Sequence, residues 1–219
     1  MSILINNIAR ISDNFKTLIK SGNYEKIILN LMNSSKKLFP NTYKHIMNQS
    51  HGECDFIDIL TSKKFDAKLP FSKKEGKLIG SNNSDFSKWI ELMINETNEF
   101  GKYIEKRGQY NIENLTLYKT LKNRLENVSL DEDVIFFFPY PIVLDGSEMI
   151  FAQFAGDILS SIYNTLKNND LIKNRTLYAI YPCLDNEIAI RCLNTNIREY
   201  FKNSELKDYI DYEFSIAKE

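Results

Sequence analysis

Cysteine is scarce in this chain. Three occur in 219 residues, Cys54, Cys183 and Cys192, an odd set with no C-x-x-C spacing. Histidine is scarcer still, with His45 and His51 alone. Five scattered ligand candidates disfavour a structural zinc, and the odd thiol count disfavours a disulfide framework. Free, buried thiols acting as small hydrophobes suit a reducing cytosol, so a cytoplasmic location is expected. No run approaches the ~18 consecutive apolar residues that a membrane span needs. The segment Met1-Ser2-Ile3-Leu4-Ile5-Asn6-Asn7 lacks a basic n-region and reads as the start of a helix instead of a signal peptide. No glycine-rich phosphate loop, G-x-S-x-G elbow or H-E-x-x-H zinc helix is present, and neither is an internal repeat or a low-complexity linker.

What is present suits one folded body. Hydrophobic residues make up 43% and aromatics 12%, and charges of both signs are interspersed, which argues against global disorder. The length predicts a single α/β domain over 1–219. Net charge is −1, but it is unevenly placed. Residues 1–80 carry 13 Lys+Arg against 7 Asp+Glu, leaving 15 against 22 for residues 81–219. The basic part includes Lys63, Lys64, Lys73, Lys74 and Lys77, which suit a passing phosphate backbone or are solvated turn lysines.

Periodicity predicts the elements. Leu4 to Ile19 and Tyr24 to Leu38 repeat at helical spacing around a Ser21-Gly22-Asn23 break. A long helix is expected from Ser84 or Asp85 to Ile104, and another near Leu115–Val128. Val134-Ile135-Phe136-Phe137-Phe138 reads as a central strand buried on both faces and lying beside the hairpin described next. Ser147 begins a helix through Leu166. Thr176–Cys183 and Glu187–Leu193 form a hairpin, followed by a helix from about Thr195. The order predicts a mixed sheet covered by helices.

The stretch Glu53 to Phe71 reads as a strand, a tight turn and a second strand carrying Asp66-Ala67-Lys68. Acid-x-lysine is a common triplet, and the chain has two others. Glu75-Gly76-Lys77 sits in a turn and Glu205-Leu206-Lys207 on a helix, where a two-residue offset separates the side chains. In a strand the same offset keeps them on one face. A two-residue turn at Thr61-Ser62 sets Asp55 across from Lys68. A three-residue turn through Lys63 sets Asp58 across from Asp66. Asp55 and Asp58 are therefore both candidates.

This hairpin resembles that of the PD-(D/E)xK, or restriction-endonuclease-like, nuclease superfamily, over roughly residues 20–140. Members share a helix, a strand hairpin bearing an aspartate and then Asp/Glu-x-Lys, a helix and a further strand. The resemblance implies a restriction-endonuclease-like core with N- and C-terminal additions, the latter a helix and hairpin over about 145–219. It favours Asp55 for the first aspartate, although Cys54 stands where the family often has proline. Asp66 and Lys68 take the second motif, and Glu25 the glutamate on the preceding helix. The implied activity is a Mg²⁺- or Mn²⁺-dependent endonuclease acting on DNA, in restriction or phage defence. Asp55, Asp66 and the Ala67 carbonyl would hold the metal, and Lys68 would orient water and balance phosphoryl charge. A homodimer or partner subunit is expected from the acidic C-terminal part. The alternative is a non-catalytic α/β module that recruits a protein or nucleic acid. Asp131-Glu132-Asp133 reads as an acidic strand cap in preference to a metal cluster, and His51 as a loop histidine.

Overall fold

The computed structural model describes residues 23–46, 54–71, 111–138, 150–168, 170–172, 174–182 and 187–202. The elements among them are α1 (Asn23–Ser34), β1 (Tyr43–His45), β2 (Phe56–Asp58), β3 (Lys64–Lys68), a 3₁₀ turn (Ile112–Asn114), α2 (Thr116–Leu125), β4 (Glu132–Phe137), α3 (Ile150–Lys167), β5 (Leu177–Pro182), β6 (Glu187–Cys192) and β7 (Arg198–Lys202). The strands form one sheet in chain order, curled into a half-barrel. Pairs β1–β2, β2–β3, β5–β6 and β6–β7 are antiparallel, and β3–β4 and β4–β5 are parallel. The fold is thus a mixed α/β sheet with helices on both faces. The expected helices before residue 20 and over 84–104 lie outside the described residues.

Each face has its own core, and alternation along the strands sorts side chains between them. Ile27, Ile28, Leu31 and Met32 lie on one stripe of α1 and pack on Phe65, Ala67, Ile135, Phe137 and Ile180. On the other face α2 and α3 cover Val134, Phe136, Ala179 and Tyr181 through Leu121, Leu125, Leu159 and Ile162. Phe136 and Phe137 are fully buried on opposite faces, each worth about 1.5–3 kcal/mol of transfer free energy. That is why β4 carries no alternation.

Two expectations are corrected. Arg198–Lys202, at the start of the expected C-terminal helix, form the edge strand β7, and the rest of that expected helix lies outside the described residues. Asn196 adopts φ 60°, the Cys192 amide donates to the Ile197 carbonyl at 2.9 Å, and Arg191 pairs with Arg198. A tight turn thereby returns the chain onto β6, and ladder bonds outweigh local helix propensity. Strand β1 was not anticipated, because Tyr43-Lys44-His45 is too short to show a period. It exists by pairing with β2 and by Asn33, which bonds the Tyr43 amide and carbonyl from the end of α1.

Glu199 on β7 ties the far edge of the half-barrel to the same helix end. Its carboxylate accepts from the Ser35 hydroxyl at 2.6 Å and from the Lys36 and Lys37 amides at 3.2 and 3.3 Å. Burial opposes its ionisation, but these donors outweigh burial and lower its pKa.

Candidate cation and phosphate site

The β2–β3 turn differs from both expected forms. Four residues, Ile59 to Ser62, separate Asp58 from Lys63, whose carbonyl accepts from the Asp58 amide at 2.9 Å. Asp58 builds the turn. Its Oδ1 accepts from the Leu60 and Thr61 amides at 2.8 and 3.2 Å, and its Oδ2 from Asn41 at 2.6 Å. Burial pushes its carboxyl up, and the bonds from Asn41 and Thr61 bring it below the ordinary value. Ser62 at φ 59° closes the loop. With its oxygens engaged in the turn, Asp58 is a structural residue.

The longer loop resets the register. Phe56 pairs with Phe65, and the Asp55 amide also donates to the Phe65 carbonyl at 3.0 Å. Two residues facing one make a β-bulge, which re-aims the Asp55 side chain. Its Oδ2 accepts from the Ala67 amide at 2.6 Å. Phe65 packs edge-on to Phe39 and Tyr43, and Ala67 belongs to the same core. With both neighbours locked beneath α1, Asp66 and Lys68 must take the opposite face.

There the three side chains meet. Lys68 Nζ lies 2.5 Å from Asp66 Oδ1, and the Asp66 carboxyl is close enough to that of Asp55 for the two to interact. Asp66 is 6% exposed and Asp55 7%. Burial first, and the Asp55 carboxyl second, push the Asp66 carboxyl up to about 7 against the pull of the Lys68 ammonium. The Asp66 carboxyl therefore keeps its proton to near neutrality.

The other sequence candidates fall elsewhere. Glu25 is in the first turn of α1, on the sheet face that this helix covers. Its Oε2 lies 2.7 Å from His45 Nε2, and it also bonds the Tyr24 hydroxyl. The Tyr24 phenol is pushed strongly upward by burial, then by Glu25, and it also senses the charges of Asp55 and Asp66. Glu25 thus belongs to a contact between α1 and β1, apart from the Asp55, Asp66 and Lys68 contacts. Lys63 pairs with Asp133 at 2.6 Å, and Lys64 reaches Asp131 at 3.9 Å. Strand alternation splits the acidic triplet. Glu132 shares the face of Asp66, while Asp133 turns to the α1 face and accepts from the Thr176 amide at 2.8 Å. Lys73, Lys74, Lys77 and His51 lie outside the described residues. His45 and Tyr24 had no sequence signal, since their roles come from α1 packing across β1.

Among the described residues no three His, Cys, Asp or Glu side chains converge to hold a metal. Two carboxylates on neighbouring strands still match the requirement of Mg²⁺, which keeps several waters and takes one or two protein carboxylates plus phosphate oxygens. Among the described residues no helix is long and apolar enough to cross a membrane. No family model matches the chain, and no curated protein or solved structure matches it.

Proposed function

We propose that this protein is a metal-dependent nuclease that hydrolyses DNA phosphodiester bonds. The observation that supports it is the meeting of Asp55, Asp66 and Lys68 on one face of the β2–β3 pair. Two nearly buried carboxyls set side by side, one of them pushed up by burial and by the other, are an unfavourable arrangement for stability alone, and such arrangements concentrate at functional sites. Leaving aside β1, which the resemblance does not call for, the order α1, hairpin with Asp55 and Asp66-Ala67-Lys68, α2 and β4 accords with that expected from a resemblance to the PD-(D/E)xK superfamily.

Asp55 and Asp66 would hold Mg²⁺ or Mn²⁺, with the Ala67 carbonyl as a further ligand. When bound, the metal supplies a more acidic water and polarises the phosphate. The Ala67 amide fixes the orientation of Asp55, and the backbone between Phe65 and Ala67 fixes that of Asp66. Lys68 stays alongside to orient the attacking water and to balance charge developing on the phosphoryl oxygens.

The test is cleavage of plasmid and oligonucleotide DNA with Mg²⁺ or Mn²⁺ and with EDTA, beside calorimetric titration with Mn²⁺. Cation-dependent cleavage lost in Asp66→Asn and Lys68→Ala, with folding intact, is expected. Unchanged cleavage in both variants, or no heat of Mn²⁺ binding, removes the reading and leaves the alternative of a recruiting module.

A further inference from the structure

The sheet face that carries Asp66 is divided. Over β4 to β6 it is mainly apolar, with Glu132 and Arg191 the exceptions, and covered by α2 and α3, whereas over β1 to β3 it is mainly polar, with Ile57 the exception, and contributes no strand residue to that core. Tyr43 and His45 face α1, so Lys44 between them falls on the polar side, and Ile57 and Lys64 do likewise by the same alternation. Register then aligns them. Lys44 pairs with Ile57, Ile57 with Lys64 and Lys64 with Glu132, giving one row across four strands. The Asp55–Asp66 pair lies two residues further along β3, a separation of about 7 Å.

Lys44 is exposed, and among the described residues no carboxylate pairs with it. Lys64 is 47% exposed, and its 3.9 Å approach to an exposed Asp131 is the long, screened kind of ion pair that contributes little. The two lysines are two strand spacings apart, about 10 Å. Glu132 ends the row on the helix side, where a carboxylate repels a polyanion and limits how far it extends.

We propose that the polar half-face of β1 to β3 is a nucleic-acid track, on which Lys44 and Lys64 bind the phosphates flanking the one placed at Asp55 and Asp66. The inference takes its ligand, a phosphodiester chain, from the nuclease reading above. It adds Lys44, which stands outside the Asp66-Ala67-Lys68 motif, and it selects Lys64 over Lys63, whose ammonium lies on the α1 side against Asp133. Neither lysine contacts the reacting phosphate, so both are positioning residues.

The experiment is fluorescence anisotropy of a labelled DNA oligonucleotide against the full chain in EDTA over a salt series, followed by steady-state cleavage with Mg²⁺. Lys44→Ala/Lys64→Ala should weaken binding and reduce the slope of log K against log salt by about two, close to one per lost phosphate contact. KM should rise with kcat little changed, and Lys44→Arg/Lys64→Arg should restore both. Lys36→Ala/Lys37→Ala, on the loop after α1, should leave the slope unchanged. The track is overturned if the unaltered protein cleaves DNA and the Lys44/Lys64 variant keeps its slope and KM, or if the Lys36/Lys37 variant loses as much. Binding with the predicted loss of slope but without cleavage supports the track and sinks the nuclease reading. No binding and no cleavage by the unaltered protein overturns both.

Discussion

Replacing Asp66 by Asn should make the cation-free protein more stable while removing its cation response. Asp66 carries an ordinary value of 3.8 in the unfolded chain and about 7 in the fold. That difference, at 1.36 kcal/mol per unit, sets a ceiling of about 4 kcal/mol for the cost of ionising it in place. Because the folded value is the higher one, its contribution is fully present below the unfolded value and lost as pH rises through the folded one. Stability of the native chain should therefore decline between about pH 4 and 7 from this group. Asn carries no charge, and the pull of the Lys68 ammonium is already contained in the value of about 7, so the gain falls below this ceiling only by what Asn loses in hydrogen bonding, about 1–2 kcal/mol. The net gain at pH 8 is about 2 kcal/mol, or roughly 4–8 °C in Tm for a chain of this size. The assay is thermal denaturation in EDTA at pH 5 and pH 8, repeated with Mg²⁺. The unaltered protein should gain Tm with Mg²⁺ at pH 8 by linkage, and the variant should not. A variant less stable than the parent at pH 8, or a parent whose stability is flat across this window, refutes the account of an Asp66 carboxyl raised by burial beside Asp55.

Other outcomes follow from the same contacts. Asp58→Ala should cost about 1–2 kcal/mol in urea denaturation by freeing the Leu60 and Thr61 amides, yet spare cleavage; lost cleavage with an intact fold would move the site to Asp58. Glu199→Ala should lower stability by about 1–2 kcal/mol at pH 7 through the lost Ser35 and amide bonds. Because the folded value of Glu199 is depressed, its contribution exists above the unfolded value and fades as pH falls through the folded one, so the acid limb of the denaturation profile should be shallower in the variant. Arg175→Ala should be the costliest, about 3–5 kcal/mol by urea midpoint. The buried guanidinium donates to the Leu125 and Val128 carbonyls at the end of α2 and offsets the charge of buried Glu132.

Much of the architecture was legible because it rests on local periodicity. The apolar run at Val134, the β5–β6 hairpin and helices α1 to α3 follow from spacing that burial then enforces, and the placement of β4 beside β3 was anticipated. The triplet Asp66-Ala67-Lys68 was legible as well, since a two-residue offset in a strand puts both groups on one face whatever surrounds it. The failures were of pairing. The register of β2 on β3 depends on a four-residue loop stabilised by Asn41, which lies 17 positions from Asp58. β1 and β7 are strands because of the partners they meet and not because of their composition.

Alternation along each chain segment was set by the order of residues, and with it the division of Phe65 and Ala67 from Asp66 and Lys68. Which opposing residue meets Asp66 was decided in three dimensions, where the bulge at Asp55 and the aromatic packing under α1 set the strand offset. Nothing in the order of residues distinguishes Asp55 from Asp58, or places Lys44 in line with Lys64. Hydrogen bonds across strands and burial against helices make those choices, and both act between residues far apart in the chain.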